Sequence, residues 1–227
     1  SSDNPKGYNQ YHLNVLYDLC NKVYLDCDLQ PRPKWDERGA LITMLNRNAL
    51  GQKSLIITDR GYESYNMFAH LLRADDIDFL CRVKQEIGSL DRKNFPPSLI
   101  KELYHLRWGV ETSFRELKYA IGLVNLHSKK DEMIRQDIFA SLIMYNFCER
   151  ITNMAVIAQK VDSIHIYQVN YTMAIHICRD FFACKHRVGF SVIDEIQKYV
   201  LPIRPGRRDE RNIKPKSVVS FLYRVAA

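Results

Sequence analysis

No two cysteines stand as a CxxC pair in the 227 residues, and Cys20, Cys27, Cys81, Cys148, Cys178 and Cys184 lie mostly within apolar runs. Scattered thiols of this kind behave as small hydrophobes, which argues against a disulfide framework and for a reducing cytoplasm. His176-Ile177-Cys178 and Cys184-Lys185-His186 offer two His/Cys pairs to zinc. Their spacing is not that of a usual zinc site, and a helix with core cysteines explains it as well. No run approaches the roughly 18 apolar residues of a membrane span, and residues 1–10 are polar rather than a signal sequence. Internal repeats and low-complexity tracts are missing too, and the chain opens on Ser1 rather than methionine, as a fragment would.

What is present is an ordinary globular composition. Apolar residues make up 46% of the chain, enough for one large domain or two small ones with a sizeable core. Lys and Arg outnumber Asp and Glu by 33 to 26, a formal charge of +7 that favours a polyanionic partner such as nucleic acid without identifying one.

Residues 12–19 and 23–29 alternate, with Leu13, Val15, Tyr17 and Leu19, then Val23, Leu25, Cys27 and Leu29, on one face of a β-hairpin. Asp18, Asp26 and Asp28 then read as solvent-face residues. Residues 35–50 have helical spacing and are closed by Gly51. Residues 54–58, Ser-Leu-Ile-Ile-Thr, suit a strand buried on both faces, ending on Asp59-Arg60-Gly61-Tyr62. In open α/β sheets ligands gather at that carboxyl end, so Asp59 is a candidate site residue; the plainer alternative is that it starts a turn or caps the helix over 65–72. A strand over 77–83 follows, then a polar stretch over 84–94 and Ser98 as an N-cap. A long helix is expected within 131–159, with further helices over 171–182 and 192–200. Residues 202–216 are basic and rich in breakers, either an ordered loop facing nucleic acid or a solvated linker.

Residues 104–121 read as one helix. At about 100° per residue, Leu106, Val110, Phe114, Leu117 and Ile121 share an arc about 80° wide that should face the core. Tyr104, Arg107, Glu111 and Lys118 fall in a neighbouring arc only about 60° wide. Arg107 and Glu111 stand i to i+4, so a simple intrahelical ion pair accounts for them locally. Together with Asp59 they also suit a site in which converging carboxylates hold Mg²⁺ or Mn²⁺ and bases hold phosphate oxygens.

Tyr104-x₂-Arg107-x₃-Glu111-x₆-Lys118 resembles the YREK signature of bacterial DDE transposases of the insertion-sequence-four type, and Asp59-Arg60-Gly61-Tyr62 resembles the Asp-x-Gly-Tyr element before it. The resemblance implies an α/β fold with a ribonuclease-H-like mixed sheet flanked by helices: a catalytic core over 1–160 and a helical C-terminal region over 161–227 with a basic tail. It implies two-metal phosphoryl transfer with Mg²⁺ or Mn²⁺, Asp59 and Glu111 serving as catalytic metal ligands. Tyr104, Arg107 and Lys118 would position the DNA backbone. Implied partners are double-stranded DNA, at transposon terminal repeats and target, and a second copy of the chain; the implied location is the bacterial cytoplasm, at the nucleoid.

The chain departs from that family in two places. The first aspartate has no good match, since Asp3 lies in a polar lead and the strand expected to carry that acid would precede Ser1. The β-rich insertion expected between the second aspartate and the glutamate has no room in 84–94. A catalytically incomplete remnant that binds DNA or assembles without cutting is therefore the alternative. Glu116-Leu117-Lys118 also spells the Glu-x-Lys element of a restriction-type nuclease, but that element belongs on a strand and this stretch has helical spacing.

Overall fold

Alternating β-branched and aromatic residues form β1 (Tyr11–Asp18) and β2 (Val23–Pro31), an antiparallel hairpin. The computed structural model describes residues 11–31, 34–48, 50, 53–82, 96–126, 128, 130–159, 164–185 and 189–203. Asp3, residues 84–94 and residues 204–216 lie outside them. The chain divides into two compact units, Ser1–Ser113 and Phe114–Ala227.

In the first unit the hairpin turn is held by the Asp18 carboxylate, which accepts the N–H groups of Cys20 at 2.8 Å and Asn21 at 3.0 Å. Asp18 is thus a turn anchor. The single apolar face expected of the hairpin does not survive. The register shifts between Leu16 and Tyr17, so Leu16 faces Asp26, Tyr17 faces Tyr24, and Leu25 is left over, 48% exposed. The deepest positions of β1 are Asn14 and Leu16, on the face opposite Cys27 and Leu29. The cause is cover on both sides. Helix α1 (Glu37–Arg47) meets one face through the pairs His12–Glu37 and Asp26–Arg47, and Ser113 meets the other through Tyr24. Asp26 is accordingly no solvent-face residue: it accepts from Arg47 at 2.6 and 2.9 Å and from the Cys27 N–H at 2.7 Å.

The run Ser-Leu-Ile-Ile-Thr becomes β3 (Ser54–Thr58), paired in parallel with β4 (Ile77–Cys81) and joined to it through α2 (Tyr65–Leu72). Ser64 caps α2 by accepting the Met67 N–H at 3.1 Å. The apolar side of α2 closes on the strands: Met67, Phe68 and Leu71 pack with Leu41, Phe79 and Cys81, and the Phe68 and Phe79 rings stack 5.2 Å apart. Burying such side chains stabilises the unit by about 1.5–3 kcal/mol each. This packing fixes the end of β3, where Asp59 follows.

Helix α3 (Pro97–Leu106) starts one residue before the expected N-cap. Pro96 is the cap residue, held extended by the proline after it, and Pro97 occupies the first helical position, where no N–H is needed; Ser98 lies inside the helix. The expected continuous helix over 104–121 is broken. Arg107 forms a turn, α4 (Trp108–Arg115) follows, and Glu116–Ile121 is a π-helical segment. Leu106, expected to face the core, is 51% exposed, whereas Ser113 is buried. A tight turn and a π segment each change the rotation per residue, so a wheel at a constant 100° loses its phase.

In the second unit α5 (Asp131–Met154) packs against α6 (Tyr171–Phe182), α7 (Val192–Gln197) and the π segment. Ile134, Ile138, Leu142 and Tyr145 are its buried stripe, while Phe139 is exposed. Cys148 and Cys178 are fully buried, as thiols in apolar runs should be, and all six cysteines are free. Gly122 ends the π segment at φ 93°, a left-handed position that favours glycine, and Arg179 donates to the Ile121 carbonyl at 2.8 Å. β5 (Tyr167–Val169) and β6 (Val200–Pro202) form a short antiparallel ladder, so the helix expected over 192–200 ends at Gln197 and turns into a strand. The arrangement is mixed α/β, and among the described residues the strands pair as three two-stranded ladders. No helix among them is long and apolar enough to cross a membrane.

Candidate active site

Asp59 emerges where β3 ends beside Cys81 of β4, with buried Thr58 preceding it. Its extended backbone makes it the cap of a 3-10 turn, Arg60–Tyr62, in which Oδ1 accepts the Gly61 N–H at 2.9 Å. The turn-starting role is therefore real, and it leaves Oδ2 without a hydrogen-bond partner among the described residues. The Asp59 carbonyl takes the Cys81 thiol at 3.3 Å, which ties the turn to β4. Glu37, at the start of α1, reaches the same place: a methyl group added at Gly61 would meet Asp59 Oδ1 at 3.1 Å and Glu37 Oε2 at 3.6 Å. A side chain at this position would crowd the Asp59 carboxylate. Burial, then the charges of Glu37 and Asp59, push the Tyr62 hydroxyl up to about 12, as expected of a phenol with two carboxylates near it.

The second group is centred on Arg107. Its Nη2 donates to Glu111 Oε1 at 3.1 Å, so the intrahelical ion pair expected from the spacing is formed. The guanidinium also lies 5.7 Å from the Tyr104 ring centre and 5.3 Å from that of Trp108. Two ring faces and a carboxylate thus hold one cation, an arrangement that fixes a long side chain at modest entropic cost. Arg107 Nε is buried with no hydrogen-bond partner among the described residues. Glu111 is half exposed, and its Oε2 has no hydrogen-bond partner among the described residues. Three of the four signature residues, Tyr104, Arg107 and Glu111, are thereby brought together.

Lys118 is exposed and lies in the π segment of the second unit. Glu116-Leu117-Lys118 is helical there, as the spacing indicated, and not the strand a restriction-type site needs. Asp59 and Glu111 share no hydrogen-bonding or ion-pair partner among the described residues. Nor do three or more His, Cys, Asp or Glu side chains gather there in a group able to hold a metal ion, which covers His176, Cys178 and Cys184 as well. The donor chemistry of Asp59 and Glu111 nevertheless suits a hard cation, since both are carboxylates with one oxygen unspent.

Sequence reasoning missed Glu37 and Arg38. Asp36-Glu37-Arg38-Gly39 reads as a helix start, with Asp36 accepting the Gly39 N–H at 3.0 Å, and that local reading hides the contact with the Asp59 turn. No sequence signal points from residue 38 to residue 61.

The transposase DDE domain family model matches residues 1–147. Transposase InsG for insertion sequence element IS4, from Escherichia coli (strain K12), is 34% identical over 143 residues, which cover 62% of the chain and 26% of that relative. The chain thus spans well under half the length of this curated relative. No solved structure matches the chain.

Proposed function

We propose that the chain, which belongs to the transposase DDE domain family of the insertion-sequence-four type, is a transposase catalytic domain that cleaves and joins DNA at transposon ends. The observation that carries this reading is the Tyr104–Arg107–Glu111 constellation, formed inside the matched span and spaced as in the YREK signature. In this reading the catalytic core would span 1–160, with 161–227 as a helical C-terminal region. The hairpin and the β3–β4 pair would belong to a ribonuclease-H-like core.

Asp59 and Glu111 are the proposed catalytic carboxylates and would supply two of the ligands to Mg²⁺ or Mn²⁺, offering Oδ2 and Oε2. A divalent cation bound there would activate the attacking hydroxyl and steady the leaving oxygen. Arg107 spends one donor on Glu111, which would orient that carboxylate, and its positive charge can attract a phosphate oxygen of the DNA backbone. Tyr104 supports Arg107 through its ring, and its hydroxyl can contact the DNA backbone. Lys118 is proposed as a further contact to DNA phosphate. The partners in this reading are double-stranded DNA, as terminal repeats and target, and a second copy of the chain in a synaptic complex, at the bacterial nucleoid.

A strand-nicking assay with Mg²⁺ or Mn²⁺ on transposon-end DNA tests the proposal. Metal-dependent nicking by the chain that is lost in Asp59→Ala is the expected result. DNA binding without nicking, while a complete transposase cuts, identifies the chain as an assembly remnant instead.

A further inference from the structure

The group that prepares Asp59 lies on another element. Gly61 is held at both of its polar backbone atoms: its N–H by Asp59 Oδ1 at 2.9 Å, and its carbonyl by Arg38 Nε at 3.0 Å. Arg38 is itself placed by the first turn of α1. That turn is capped by Asp36 and tied to β1 by the pair between His12 Nε2 and Glu37 Oε1 at 3.0 Å. The His12 ring in turn meets Trp35 edge to face, 4.9 Å between centres, which braces the start of α1. A route of direct contacts therefore runs from the hairpin through α1 to the turn that follows β3.

We propose that Arg38 is a positioning residue for Asp59, holding the Gly61 carbonyl so that the Gly61 N–H engages Oδ1 and Oδ2 is the oxygen presented to a divalent cation. The inference rests on Asp59 being a metal ligand. Without Arg38 the short turn can rotate, and Asp59 exchanges one fixed rotamer for several. A carboxylate that must be reordered on binding holds its ion less well, the usual consequence of losing an outer hydrogen bond at a metal site. Glu37 Oε2 lies near the same side of Gly61 as Asp59 Oδ1: a methyl group added there would meet them at 3.6 and 3.1 Å. Arg38 is exposed, so its removal opens no cavity and its effect should fall on the turn rather than on the core.

The test is Mn²⁺ binding to the purified chain, followed by the electron paramagnetic resonance signal of free Mn²⁺, with thermal melting recorded in parallel. The parent should bind Mn²⁺, and Asp59→Ala should abolish that binding. Arg38→Ala should weaken it by about 10-fold with the melting midpoint nearly unchanged. Arg38→Lys should recover part of the loss, because an ammonium can still donate to the Gly61 carbonyl. Binding unchanged in Arg38→Ala but lost in Asp59→Ala overturns the role of Arg38 and leaves Asp59 as a ligand. Binding unchanged in Asp59→Ala, or no Mn²⁺ bound by the parent, overturns the ligand reading and this inference with it.

Discussion

Arg107 Nη2 lies 3.1 Å from Glu111 Oε1 while its guanidinium rests against the rings of Tyr104 and Trp108. The plain ion pair and the constellation proposed as catalytic therefore share the same residues. An i to i+4 pair contributes a few tenths of a kcal/mol to helix stability, and the two ring contacts add about 0.5–1 kcal/mol each while restricting the Arg107 side chain.

Glu111→Gln keeps the shape of the side chain and removes its charge. Stability should change by a few tenths of a kcal/mol, while metal-dependent cutting by the complete enzyme should disappear. Urea unfolding and the nicking assay read the two effects separately, and retained cutting would remove Glu111 from the site.

Lys118→Ala should weaken binding to DNA ends uniformly across sequences and lower the slope of log affinity against log salt by about 1, as for the loss of one phosphate contact. A salt titration by fluorescence anisotropy measures this. An unchanged slope would mean that Lys118 touches no phosphate.

Asp26 provides a pH-dependent test of the hairpin. Burial raises its pKa, but the hydrogen bonds from Arg47, Asn48 and the Cys27 N–H outweigh that and hold the carboxyl below its ordinary value of 3.8. A carboxylate with a lowered folded pKa contributes stability above its unfolded pKa and loses it as pH falls through the folded one. Asp26→Asn should therefore destabilise the fold by about 1 kcal/mol near neutrality, a figure reduced for the half-exposed Arg47. Denaturant unfolding should show the gap between parent and variant narrowing as pH drops below 3.8.

Tyr24 donates to Ser113 Oγ at 2.8 Å, and Ser113 donates to the Val110 carbonyl at 2.8 Å. Ser113→Ala breaks both bonds in a buried place and should cost about 1–3 kcal/mol, whereas Tyr24→Phe leaves the second bond intact and should cost less. Urea midpoints of the two single variants and the double variant check the order, and the pair should be non-additive.

Much of the site was legible in residues that are close in sequence. A short apolar run with β-branched residues announces a strand, so the position of Asp59 at its end follows, although only Thr58 of the run is buried and the expected burial on both faces is not met. The spacing of Tyr104, Arg107 and Glu111 brings them together within about two turns. Features that depend on partners were not legible. The exposure of Leu25 and the burial of Asn14 come from a register shift in a hairpin covered on both faces, which an alternating pattern does not encode. The exposure of Leu106 comes from the break at Arg107, whose own helix propensity is good.

By itself the sequence determined the hairpin, the β3–α2–β4 unit and most helices, with the chemical groups each carries, because propensity, capping and hydrophobic period act over a few residues; the π segment and the β5–β6 ladder were not in it. Tertiary structure alone decided that the first turn of α1 grips the turn after β3, Arg38 to Gly61, and that Tyr24 of the hairpin finds Ser113 on α4. Contacts of that separation depend on where whole elements pack, and the order of residues along either element carries no record of the other.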